Sequence, residues 1–156
     1  MRGAIRLRRR ARRPQLKHDP LGGCALVTRR QKTFLALIIT QAAHALEEYL
    51  GHLYDVFPPA RFVSGLISQD RERGFIIFNA ALVIFGLWCF LGPLRRASPS
   101  AEPLAWLWVG IELINGLGHP LWSLRESRYT PGVATAPVLL VLALYLAHQL
   151  RPRAAA

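Results

Sequence analysis

Phe75–Leu91 reads FIIFNAALVIFGLWCFL, a run in which Asn79 is the one strongly polar side chain. A soluble domain of 156 residues would instead alternate apolar and polar positions at the period of a strand or a surface helix. About 17 apolar residues is the shortest helix that crosses a bilayer's hydrocarbon core. Val133–Ala147, VATAPVLLVLALYLA, is a second such run, and with Leu150 it reaches a similar length. Two further segments, Thr33–Leu53 and Leu104–Trp122, are as long but carry ionisable residues that lower their hydropathy. The expected fold is all-α, a four-helix transmembrane bundle over residues 33–150.

Outside those segments the chain changes character. The first 32 residues carry eleven basic side chains against one acid, Asp19, and so hold +10 of the formal net charge of +11. Residues 1–32 are therefore expected to form a basic, disordered tail, with 151–156 a short C-terminal one. Met1 is the sole methionine, which leaves open a start near Val27. No short apolar core with a small-residue cleavage site follows the arginines, so the tail does not read as a secretory signal. It has no aromatic residue to stack on bases, which favours anionic lipid headgroups as its partner over nucleic acid. Cys24 and Cys89 form neither a disulfide framework nor a CxxC motif.

Charge also orients the helices. With the tail in the cytoplasm, the connection from Tyr54 to Arg73 lies outside and is balanced, Arg61, Arg71 and Arg73 against Asp55, Asp70 and Glu72. The next connection, with Arg95 and Arg96 against Glu102, and the C-terminus, with Arg151 and Arg153, then face inward. Both termini are expected to be cytoplasmic, as the excess of inward positive charge requires.

The ionisable residues within the helices are the candidate site. His44, Glu47 and Glu48 are three and four residues apart and share a helical stripe, and Glu112, Asn115 and His119 do the same on the third segment. Counted from the inner ends of two helices running the same way, the two sets overlap in depth, in the outer half of the bilayer. A carboxylate at the bilayer centre costs about 2.5–3.5 kcal/mol on insertion scales, so neither stripe is expected to face lipid. Pro120 disfavours a regular helical turn at His119.

His44-Ala45-Leu46-Glu47-Glu48, Asn115-Gly116-Leu117-Gly118-His119 and Tyr129-Thr130-Pro131-Gly132 resemble, in that order, the HxxEE, NxxxH and YxPG motifs of the HXXEE family of bacterial integral membrane proteins. The resemblance covers roughly Thr33 to Leu150. It implies a multi-pass protein of the bacterial cytoplasmic membrane with functional weight on the motif positions. It carries no established activity and does not extend to Glu112, which is included on helical spacing alone.

Several chemistries suit such a cluster. Imidazole and carboxylate together suit Zn²⁺, Fe²⁺ or Mn²⁺, with His44, Glu48 and His119 as ligands, Glu47 or Glu112 as proton carrier, and Asn115 orienting substrate. Tyr129 is expected to point its hydroxyl at the cluster. That set would serve a hydrolase-like reaction on a membrane lipid, although HxxEE is not the HExxH of zinc proteases. A metal-free alternative is an isomerase-like proton shuttle between glutamate and histidine, with Trp106, Trp108 and Trp122 either lining a pocket or marking the membrane interface. A third reading is a proton or ion pathway, which in so small a bundle would need oligomerisation. The plainest is a structural polar network, but interhelical hydrogen bonds average only about 0.6 kcal/mol, less than the insertion cost.

Overall fold

The computed structural model describes residues 27–151. Residues 1–26, most of the expected basic tail, and 152–156 lie outside the described residues.

The first helix, α1, spans Arg29–Leu50 and starts four residues ahead of the expected Thr33. Thr28 explains the difference. Its hydroxyl accepts from the Gln31 backbone N–H while the Gln31 side chain accepts from the Thr28 N–H, a reciprocal cap that satisfies two otherwise unpaired donors. Between α1 and the next long helix lie two short ones, α2 (Leu53–Val56) and α3 (Pro58–Ile67), in a stretch read from sequence simply as a connection. Pro58 opens α3 at the position where a proline's missing N–H costs nothing. The α4 helix (Arg71–Cys89) is capped by Asp70, whose carboxylate accepts from the Arg73 N–H. It runs into a π-helical turn, Phe90–Leu94, around Pro93. The α5 helix (Ala101–Glu126) continues through Pro120, and α6 (Ala136–Leu150) closes the chain. Among the described residues the fold is all-helical.

The four longer helices alternate in direction. Gln31 at the start of α1 donates to the Leu94 carbonyl after α4, and Gln149 at the end of α6 donates to Thr33 in α1. α1 packs on α4 and α6, while α5 packs mainly on α6. α1 and α5 therefore run parallel and face each other across the core. A Cβ on Gly116 would sit 2.7 Å from the Leu140 Cβ and 2.9 Å from its backbone, so the missing side chain is what lets α5 and α6 approach so closely.

One half of the bundle interior is apolar. Phe34, Leu37, Ile38, Trp108, Leu139 and Leu146 fill it, with the Phe34 and Trp108 rings edge to face at 6.1 Å. Trp108 is completely buried, a core residue rather than an interfacial one. The outward faces of all four long helices are also apolar, with Ile39 and Leu46 on α1, Ile84 and Trp88 on α4, Ile114 and Leu121 on α5, and Val141 and Leu144 on α6 all exposed. Arg29, Arg30, Lys32, Arg95, Arg96 and Arg151 gather at one end of the bundle. The polar interior lies toward the other.

Candidate metal centre

Successive residues on an α-helix are about 100° apart, so the side chains of Glu47 and Glu48 leave α1 in different directions on either side of His44. Glu48 turns into the bundle toward α5, whereas Glu47 turns toward the segment that leads into α6. Adjacent identical residues thus meet different surroundings.

On the inner side, His44, Glu48 and His119 converge. His44 is fully buried, and Glu48 and His119 are 7% and 6% exposed. Glu48 Oε1 lies 3.0 Å from His119 Nε2 and 3.4 Å from His44 Nε2, and all three ligand atoms fall within 4.8 Å of one another. The imidazole rings stand edge to face, 4.7 Å between centroids.

The hydrogen atoms can be assigned from the partners. His119 Nδ1 is 2.8 Å from the Pro131 carbonyl oxygen, which only accepts, so Nδ1 carries the proton. His44 Nδ1 is 2.7 Å from Thr135 Oγ1, and the one hydroxyl hydrogen of Thr135 is directed to Glu47 Oε2 at 2.6 Å. His44 Nδ1 must therefore donate as well. In the neutral rings both Nε2 atoms present lone pairs, and they meet a carboxylate oxygen that has only lone pairs to offer. His44 Nε2 has no hydrogen-bond partner.

Glu47 holds the loop that makes these bonds. Its two oxygens accept from the Tyr129 hydroxyl, the backbone N–H groups of Gly132, Ala134 and Thr135, and the Thr135 hydroxyl. The Tyr129 hydroxyl points at the cluster through Glu47 and not the histidines, from a residue that is 65% exposed. That hydrogen bond, helped by partial burial, pushes the Tyr129 phenol up to about 12. Gly132 has φ +91°, and a Cβ there would lie 2.5 Å from His119 Nδ1 and 2.9 Å from His44 Cε1. The loop backbone thus lies directly against both rings.

Below this cluster is a second buried group. Glu112 has no exposure, and Asn115 Nδ2 donates to its Oε2 at 3.3 Å. With its amide nitrogen facing Glu112, Gln41 donates to Oε2 at 3.0 Å and to Oε1 at 3.2 Å. Glu112 and Asn115 are thus set apart from the three convergent ligands, and Gln41 joins them. Asn79 bonds to its own helix at the Phe75 carbonyl, and His52 to Tyr54.

Sequence reasoning missed Thr135, which sits inside an apolar run with nothing to mark it. It also missed Phe57, whose ring lies 6.3 Å from His119 and 4.5 Å from Trp122 and so covers the outer side of the site.

The three inner atoms suit a metal ion. Ligands at about 2.0–2.2 Å around a tetrahedral zinc lie roughly 3.3–3.6 Å apart, against 3.4 and 3.0 Å from Glu48 to His44 and His119 here. Both imidazoles donate Nδ1–H to an oxygen, the outer arrangement that metal-bound histidines usually have. Three protein ligands leave a fourth position for water or substrate.

Residues 34–146 match the family described as "Protein of unknown function with HXXEE motif". No curated protein and no solved structure matches the chain.

Proposed function

We propose, from the premise that this chain belongs to the HXXEE family, that it is a multi-pass protein of the bacterial cytoplasmic membrane in which His44, Glu48 and His119 hold a divalent transition-metal ion for a hydrolase-like reaction on a membrane lipid. The observation that carries the metal reading is the convergence of the His44 and His119 Nε2 atoms on one Glu48 oxygen, with His44 Nε2 left without a hydrogen-bond partner. A cation turns that repulsion into three bonds. Mixed nitrogen and oxygen ligands favour Zn²⁺, Fe²⁺ or Mn²⁺ over Mg²⁺ or Ca²⁺.

The membrane reading rests on where the apolar surface lies. Arg71–Leu94 is a 24-residue helical stretch whose most apolar 18-residue window has mean hydropathy 2.3 and is only 28% buried, which supports a membrane helix over the mostly buried core helix of a water-soluble fold. By length and composition it is the single described helix that suffices alone to cross a bilayer, and α6 is apolar but shorter. α1 and α5 carry Gln41, His44, Glu47, Glu48, Glu112 and His119, and all of these but the half-buried Glu47 are buried inside the bundle. Their outer faces expose Ile39, Leu46, Ile114 and Leu121. Large apolar side chains are exposed on all four helices, which supports faces that meet lipid. The arginine-rich end would face the cytoplasm, which puts the metal site in the outer half of the membrane.

A bound metal supplies a Lewis acid and lowers the pKa of its water to about 7. An ion held by His44, Glu48 and His119 would thereby supply a hydroxide nucleophile for hydrolysis of an ester carbonyl or phosphoryl centre, with the proton given up by the water passed to the leaving oxygen. Glu47 is committed to the loop, which leaves Glu112 as the proton carrier, held by Asn115 and Gln41. The 3.0 Å approach of Glu48 to His119 would also suit a metal-free imidazolium–carboxylate pair acting as an isomerase. That reading leaves His44 Nε2 without a role.

Metal analysis of the full chain purified in mild detergent tests the proposal. About one transition-metal ion per chain is expected, lost in both His44→Ala and His119→Ala. A native chain that stays metal-free after incubation with Zn²⁺, Fe²⁺ or Mn²⁺ overturns it.

A further inference from the structure

We infer that Thr135 is the positioning residue that makes His44 a metal ligand, by holding its ring in the Nδ1–H tautomer through a relay anchored on Glu47; the consequence for metal rests on the reading above. A neutral histidine divides its proton between two nitrogens, and only the form with hydrogen on Nδ1 presents Nε2 to a metal. In this protein the choice is made by one hydroxyl. Thr135 Oγ1 is bound on one side to Glu47 Oε2 at 2.6 Å and on the other to His44 Nδ1 at 2.7 Å. A carboxylate accepts and does not donate, so the hydroxyl hydrogen goes to Glu47 and its lone pair to the His44 N–H. The Thr135 backbone N–H also donates to Glu47 Oε2, at 2.9 Å, which fixes the residue at two points.

The two histidines are held by different means. His119 is set by the Pro131 carbonyl, a main-chain group that side-chain replacement leaves in place. His44 depends on a side chain at the entrance to α6, where an apolar residue would suit the helix equally well. Thr135 is half-buried and lies beside no ionisable side chain except Glu47 and His44 in the contacts that its polar atoms make. Its hydroxyl is thus accounted for by the relay.

Valine matches threonine in shape and lacks only the hydroxyl, and serine keeps the hydroxyl and lacks only the methyl. Thr135→Val is expected to weaken Zn²⁺ or Co²⁺ binding by about 10–100-fold, the usual effect of removing such an outer partner. Thr135→Ser is expected to restore binding and the native visible spectrum of the Co²⁺ form. Independently of metal, ¹⁵N-histidine NMR of the metal-free chain above the imidazole pKa is expected to show one ring nitrogen pattern for His44 in the native protein and a mixture in Thr135→Val. A folded valine variant with native Co²⁺ affinity and spectrum, or a serine variant that binds no better than valine, overturns the inference. If the native chain takes up no metal, the reading of the preceding subsection fails, and the NMR comparison still decides the relay: an unchanged His44 pattern in Thr135→Val overturns it.

Discussion

Gly132→Ala perturbs the site at its tightest point without touching a proposed ligand. Two costs follow from the geometry. At φ +91° an L-residue is strained by about 1–2 kcal/mol. The new methyl also starts 2.5 Å from His119 Nδ1, 2.6 Å from its Cε1 and 2.9 Å from His44 Cε1. Ordinary contact begins near 3.4 Å, so His119 and the loop must separate by roughly 0.9 Å. Forcing a methyl group into packed surroundings typically costs about 1–3 kcal/mol. Together the two give a loss of about 2–5 kcal/mol in unfolding free energy, measurable by denaturant titration in detergent. The displacement far exceeds the tolerance of about 0.2 Å for metal–ligand distances, so the variant should also lose its metal. Gly118→Ala is the control. It lies on the same helix as His119, a Cβ there meets nothing within 4 Å, and it should be neutral or gain up to about 1 kcal/mol from helix propensity. Equal behaviour of the two variants, with metal retained in both, would refute the argument for the loop.

Glu47→Ala leaves three backbone N–H groups and two hydroxyls without their acceptor. At about 1–3 kcal/mol for each such group that stays dry, limited proteolysis should cut between Arg128 and Thr135 in the variant and spare the native chain. Protection equal to the native protein's would show that Glu47 does not hold the loop. Glu48→Gln should abolish metal binding, whereas Glu112→Gln should keep the metal and lose turnover of a lipid substrate; the opposite pattern would exchange the two roles. Gln69 and Ser100 are exposed at opposite ends of the bundle. With the chain in intact cells, an impermeant maleimide should label Gln69→Cys and not Ser100→Cys. Labelling of Ser100→Cys alone would invert the orientation, and equal labelling of both would rule out a membrane-spanning bundle.

What the sequence revealed and what it hid follow from how far each feature depends on local spacing. His44, Glu48 and His119 were legible because a helical period puts residues four apart on one face, and because the apolar runs made inward-facing polar groups the only economical arrangement. The distinction between Glu47 and Glu48 was not legible. It depends on which neighbour each meets, and Glu47's neighbours come from residues 129–135, more than 80 positions away. Thr135 looks like one more β-branched residue in VATAPVLL. α3 was hidden because its ten residues are short and mixed, and its packing depends on Gly74 lying against the Ser64 backbone. Pro120 misled in the other direction. It removes one backbone donor, but the helix on both sides of it is retained and His119 stays on a regular face, an instance of tertiary packing overriding local propensity.

The central claim is that two imidazoles from separate helices bind one ion through Nε2. X-ray absorption at the metal edge of the zinc-loaded chain measures this directly. Two imidazole scattering patterns with first-shell nitrogen and oxygen at about 2.0–2.2 Å are predicted, falling to one pattern in His119→Ala. A spectrum with no imidazole contribution, or one that does not change when His119 is removed, would contradict the account.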